Sequence, residues 1–307
     1  MNKLRGHSEK RAFSYAILTI LFWSTVASAF ALTLRQVRPF DLLFYSSLFA
    51  TILLGAILIV SPQRAELLKW TRRDFGLSAV LGLLNPFLYY LLLFEAYDRL
   101  PAQEALPLNF AWPIVLVLLS AIILRKKIQL SSIVFLLVSF LGVIVIATRG
   151  EPLSMRFENP AGVGMALGST VIWALYWIYS SEDRRDSVCR LFCNFGFGFV
   201  YLLVFAVFFN GVSIPNLQGL AGTLYIATFE MGLAFICWLQ ALKLATNTPQ
   251  VSSLIYLTPF FSLVVIHFTV GEEIYPSTMI GLLLIVGGIV GQQWLERHDR
   301  PPPSRQG

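Results

Sequence analysis

Residues 109–124 read "NFAWPIVLVLLSAIIL", and residues 255–270 read "IYLTPFFSLVVIHFTV". Each belongs to an apolar run of the length a helix needs to cross hydrocarbon, about 20 residues. Each has a proline five residues in, at Pro113 and Pro259, a spacing of 146 along the chain. The two stretches raise two questions at once: whether the chain lives in a membrane, and whether it contains the same unit twice.

Composition answers the first. Of 307 residues, 56% are hydrophobic and 13% are charged. A soluble domain is about 45–50% apolar and about 25% charged, so this chain lacks the charge to clothe a water-facing surface. Mean hydropathy is +0.70. Apolar runs place spans near 12–33, 41–60, 76–97, 102–124, 129–148, 160–181, 187–209, 218–241, 249–270 and 276–295. The expected fold is therefore all-α and integral to the membrane, with about ten transmembrane helices joined by short loops. The basic stretch "MNKLRGHSEKR" precedes a run longer than a signal-peptide core, so span one is expected to be retained. Cys189, Cys193 and Cys237 all fall inside spans, where they read as small packing residues.

Lys and Arg set the expected orientation. If the spans alternate, 18 of the 23 Lys and Arg residues lie on the side of the termini. The five on the other side are Arg35, Arg38, Arg99, Arg149 and Arg156. That bias places both termini, residues 1–11 and 296–307, in the cytoplasm, and the protein in the inner or plasma membrane. The net charge of +6 is thus a topology signal. Nucleic acid is not an expected partner, because no soluble basic face exists to bind it.

The second question has a positive answer too. Gly142 in "FLGVIVI" falls on Gly288 in "VGGIVGQ" at the offset that aligns the prolines, and "FEAYDRL" falls on "LQALKLA" at an offset of 145. Residues 12–148 therefore resemble residues 160–295. With five spans in each unit, the second unit lies upside down relative to the first. Inverted repeats of this kind build transporters, with the substrate near the midplane where the halves meet.

With "LNFAWP" in the fourth span and "IYLTP" in the ninth, this layout resembles the EamA family of the drug/metabolite transporter superfamily. In that family the fourth and ninth spans commonly end in Gly-Glu. Here the ninth does, at Gly271-Glu272, while the fourth ends "LRKK". "NFAWP" is also similar to the Asn-Tyr-x-Trp-Pro of the aromatic amino acid exporter branch, with Phe110 in place of Tyr. The resemblance implies a carrier of small metabolites, and an aromatic amino acid as its specific solute.

Polar residues inside spans are costly and usually face a cavity or a partner. The repeat pairs Asn85 with Glu230, Glu95 with Gln240, and Glu104 with Gln250. Glu230 lies halfway along span eight, where an ionised carboxylate is expensive, so it is the first candidate to carry a coupling proton. Glu95 and Glu104 flank the "YDRLP" turn and are weaker candidates, since each can reach water. Asp41 reads as the N-cap of span two. In span four, Asn109 and Trp112 share a face, and Pro107 and Pro113 remove backbone donors and should bend or open the helix. Pro259 does the same in span nine. Span six repeats Trp173 and Trp177 at four-residue spacing. With Trp23, Asn85, Tyr89 and Tyr256 these form the expected substrate-binding set.

Other chemistries find little footing. There is no Walker A motif, no H-E-x-x-H and no G-x-S-x-G, so neither a nucleotidase nor a common hydrolase is expected, and no cofactor or metal is implied. The expectation is a secondary-active transporter, an exporter of a small amphipathic metabolite such as an amino acid, in the bilayer as a monomer or homodimer. Spans one, three, four, six, eight and nine should line its cavity. A multidrug or nucleotide-sugar carrier is the nearest alternative within transport, and a membrane-embedded lipid-modifying enzyme the alternative of another class.

Overall fold

The structure, a computed structural model, describes residues 2–123, 125, 130–153, 157–181, 183–245, 251 and 253–298. Lys126, Lys127, Arg156, Gln250, Arg300 and Arg305, which entered the charge and repeat arguments, lie outside the described residues.

Ten membrane-length or shorter apolar helices follow one another, and no strand occurs among the described residues. They are α1 (Asn2–Leu34), α2 (Pro39–Val60), α3 (Arg72–Arg99), α4 (Ala102–Ile123) and α5 (Leu130–Ala147). The second five are α6 (Pro160–Ser181), α7 (Ser187–Phe209), α8 (Leu217–Leu244), α9 (Leu254–Val270) and α10 (Pro276–His298). Helices are the expected answer to a solvent without hydrogen-bond partners, since they satisfy every backbone group internally. Large apolar side chains such as Leu21, Ile52, Phe140, Phe261 and Phe268 point outward, as a surface bathed in hydrocarbon requires.

Contacts repeat when the two halves are exchanged. Helix α1 packs on α8 and α9 as α6 packs on α3 and α4, and α2 meets α8 as α7 meets α3. Two pairs are their own counterparts under this exchange, α2 with α7 and α5 with α10. The α5–α10 contact shows how closely the symmetry is kept. Ser139 Oγ donates to the Ile285 carbonyl at 3.1 Å. Gly142 abuts Gly281 and Ile285, and Gly288 abuts Phe135 and Ser139. These are the same three positions of the repeat, seen from each side. Small residues let two helix backbones approach this closely where no hydrophobic driving force separates lipid from protein.

The helices break at matching places. In α3 a π-helical turn runs from Leu83 to Leu88, with Asn85 in extended geometry (φ −141°, ψ 117°). In α8 a π-helical turn runs from Ala227 to Gly232 and contains Glu230. Helix α4 is interrupted at Phe110 and Ala111, and Trp112 and Pro113 start its second segment. Helix α9 carries a 3₁₀ turn, Leu254–Leu257, and Pro259 is second in the segment that follows. Both prolines thus sit where a missing N–H costs nothing. Pro107, in contrast, lies inside the segment Ala102–Asn109.

Asp41 is not an N-cap. Arg38 occupies that position without a side-chain cap bond, and Pro39 begins the helix. Asp41 instead sits in the first turn, accepts from Arg38 at 2.6 and 3.0 Å, and accepts from the Ser213 amide. A carboxylate in the first turn favours the helix dipole without capping it.

Candidate substrate cavity

The breaks in α4, α8 and α9 border a cavity of about 320 Å³, which α3 lines beyond its own break, from Tyr89 onward. Its walls come from α1, α3, α4, α6, α8, α9 and α10. Trp23, Tyr89, Asn109, Trp112, Trp173, Trp177, Tyr256 and Glu230 all line it. Helix α10 was not expected there. It contributes Ile289, Gln292 and Gln293, and two adjacent glutamines in an otherwise apolar run were the available signal. Phe30 and Tyr97 also line the cavity and were not singled out in advance.

Asn85 is elsewhere. It is fully buried and does not line the cavity. With Asn194 it lies beside the Tyr176 hydroxyl, although neither amide reaches hydrogen-bond geometry with a described partner. Glu95 is on the rim of the bundle, paired with Arg99 one turn away. Glu104 is buried, but it faces Arg149, whose Nε donates to it at 2.6 Å.

The aromatic wall is organised around Trp173. Its ring stacks on Tyr89 (4.5 Å, 24°) and on Tyr176 (5.5 Å, 19°), with Trp177 edge-on. These contacts leave Trp173 only 7% exposed. Trp23 leans on Trp238 and Phe235 from the other side. Trp112 is different: it is half-buried and packs on no other ring among the described residues. It is the side chain whose face is most open to a solute.

Polar groups in the wall are few and mostly committed. Asn109 accepts from the Tyr89 hydroxyl at 3.3 Å and donates to Ser169 at 2.8 Å. Gln293 donates to the Tyr256 hydroxyl at 2.5 Å. Glu230 accepts from the Tyr90 hydroxyl at 2.9 Å, is 8% exposed, and takes part in no ion pair among the described residues.

The cavity is closed at the end away from the termini. There α9 ends at Gly271, whose φ of 79° only glycine adopts freely. That turn delivers Glu272 to the start of α4, where its carboxylate accepts from the amides of Ala102 (2.8 Å) and Gln103 (3.0 Å). Unpaired amides and a positive dipole make a helix N-terminus a natural carboxylate site. The Gln103 side chain donates to the Glu273 carbonyl (2.7 Å) and accepts from the Tyr275 amide (2.7 Å). Arg149 joins Glu104 to Glu158 and lies over the Tyr275 ring. Burial opposes its charge, but the bond to Glu104 and the two carboxylates prevail and hold the guanidinium above its ordinary value. Toward the end that carries the termini, the lining continues with Leu116, Val117, Trp177 and Gln293, which are partly exposed.

A ten-helix membrane bundle built of two like halves, with a central cavity closed at one end, defines a membrane transporter. The pattern of the EamA-like transporter family matches residues 10–148 and again residues 160–291. The chain belongs to that family. A protein of Clostridium kluyveri named "Uncharacterized transporter" is 25% identical over 296 residues, 92% of each chain. "Uncharacterized transporter YvbV" of Bacillus subtilis is 28% identical over 79% of this chain and 80% of its own. "Protein PecM" of Dickeya dadantii is 24% identical over 86% and 88%. A solved crystal structure shares the fold, with a TM-score of 0.66 at 21% identity over 95% of this chain and 100% of that one.

Proposed function

We propose that this protein is a secondary-active exporter of a small amphipathic solute, working by alternating access in the inner or plasma membrane with both termini in the cytoplasm. The observation that carries the proposal is the central cavity, with α9 tied to α4 at one end and partly exposed lining residues toward the other, which we read as its open end. With the charge bias of the loops, the accessible end is cytoplasmic, as an exporter loading its cargo requires. The aromatic lining suits a flat solute, and the side chain of an aromatic amino acid fits that description. A nucleotide sugar fits less well, because its diphosphate would find no cation among the described lining residues. Glu230 is the coupling group in this reading. It is the one carboxylate among the described lining residues, it sits at the break of α8, and a proton is the simplest charge it can exchange.

The test is flux in proteoliposomes across a panel of amino acids and amphipathic drugs, with and without a pH gradient. Glu230→Gln keeps the bond to Tyr90 within reach but cannot release a proton. It should retain solute binding and exchange while losing gradient-driven accumulation. Wild-type accumulation with an unchanged pH response would remove Glu230 from coupling. Absence of flux for the whole panel in wild-type vesicles would remove the transport reading.

A further inference from the structure

We infer that the cavity selects organic cations: a mono- or bicyclic aromatic body carrying a protonated amine or quaternary ammonium. The inference rests on the transporter reading and names the class of solute for that same cavity.

Charge in the lining is one-sided. Glu230 is the only ionisable acid, and no Lys, Arg or His is among the described lining residues. The described arginines nearest the two ends are already engaged. Arg149 holds Glu104 and Glu158, Arg185 holds Asp183, and Arg190 donates to the carbonyls of Ser180 and Asp183. A substrate carboxylate entering this space would find no cation.

The donors it would meet are neutral. One N–H of the Asn109 amide goes to Ser169 and one of the Gln293 amide to Tyr256, and the other lining donors are indole N–H and hydroxyl groups. A buried anion with no cation to pair with is penalised heavily.

A cation meets the opposite surroundings. Ring faces and edges of Trp23, Tyr89, Trp112, Trp177, Trp238 and Tyr256 surround the space, and an aromatic face attracts a desolvated cation. Glu230, when ionised, supplies a negative charge, with Tyr90 as its single hydrogen-bond partner among the described residues. In this low-dielectric setting a lone carboxylate is stabilised by whatever cation arrives. Size limits the solute: about 320 Å³ is at the small end of ligand pockets, which span roughly 300–1,000 Å³.

The experiment uses three ligands with one indole body and different head groups: tryptamine as the cation, tryptophan as the zwitterion and indole-3-propionate as the anion. Each is titrated calorimetrically into the purified full-length protein in nanodiscs at neutral pH. Tryptamine should bind at least about ten-fold more tightly than tryptophan, and indole-3-propionate most weakly. Glu230→Gln should shrink the advantage of tryptamine to about two-fold or less, while Trp112→Ala should weaken all three. Tryptophan or indole-3-propionate binding as tightly as tryptamine to the wild type overturns the inference, as does no binding by any of the three. So does an undiminished preference in a folded Glu230→Gln variant. If that variant does not fold, the wild-type ranking alone decides. Calorimetry and flux separate the two claims. A binding preference without flux sinks the transport reading alone, and flux with the reverse preference sinks the cation assignment alone.

Discussion

Glu272→Ala should open the closed end of the bundle. In the structure the Glu272 carboxylate bridges α9 to α4 by accepting the first two amides of that helix, at 2.8 and 3.0 Å. Hydrogen bonds to a charged group contribute about 1.5–3 kcal/mol each. Glu272 is partly exposed, so water offsets some of this and the low end of the range applies. Two bonds then amount to about 3 kcal/mol, which is a shift of about a hundred-fold between closed and open forms. Gln103 and Arg149 still tie the same region, so the end should loosen without the fold being lost. The assay is the labelling rate of a cysteine at Leu106, which is 8% exposed and lines the cavity, in a variant lacking the three native cysteines. An impermeant maleimide added from the side opposite the termini should react up to about a hundred-fold faster when Glu272 is Ala. With Glu272→Gln, which keeps one acceptor oxygen, the increase should be intermediate. Equal rates in all three backgrounds would refute the idea that this carboxylate holds the end shut.

Two further outcomes follow from particular contacts. Gly288→Val should lower the melting temperature in detergent, because even a Cβ there collides with Ser139 Oγ and the Phe135 carbonyl; overpacking of this kind costs about 1–3 kcal/mol, and an unchanged melt would mean α5 and α10 are not so tightly joined. Asp183 is held below the ordinary aspartate range: burial works against its charge, but the bonds and charge of Arg185 prevail. Its depressed folded value means that the bridge stabilises above the unfolded value of about 4 and is lost as pH falls through the folded one. Thermal melts of Asp183→Asn should therefore lose less stability than wild type on acidification, and parallel pH profiles would exclude the bridge as a source.

Span positions were legible because the bilayer enforces them: twenty apolar residues in a row have few other uses, and α6 runs over Pro160–Ser181 as its apolar run indicates. The 3₁₀ turn Leu254–Leu257 of α9, around Tyr256, was less legible, because apolar content does not distinguish it from a regular helix. Side-chain direction was the harder matter. Trp112 and Trp173 looked alike as midspan aromatics, yet Tyr89 and Tyr176 occupy the ring of Trp173 and leave Trp112 open. Asn85 and Glu230 looked like a matched pair, yet one is sealed beside Tyr176 and the other faces the cavity. Rotation of a few tens of degrees about a helix axis separates these fates, and periodicity within one span does not fix it. The ties of Gln103 and Glu272 join residues about 170 apart, so no local pattern announces them.

The unequal fate of Asn85 and Glu230 bears on how two like halves make one site. Both residues sit in the π-helical turn of their own repeat, so the break belongs to the shared architecture. A π turn leaves backbone groups out of the regular ladder and is tolerated in a membrane only where protein or a cavity covers it. Covering is what α7 supplies in the first half: Gly82 and Gly198 let the two backbones meet, and a side chain at either would strike the other helix or Pro86. In the second half α2 covers the break of α8 in the same way, with Leu53 against Gly232, but there a carboxylate, Glu230, lines the cavity where the first half has a sealed amide. Two acids at equivalent, facing positions would repel and would hold one proton between them. One acid and one amide leave a single charge in the cavity. Under the proposed coupling, a solute and a proton would compete for that one charge, as one-to-one exchange between cargo and ion demands of a site.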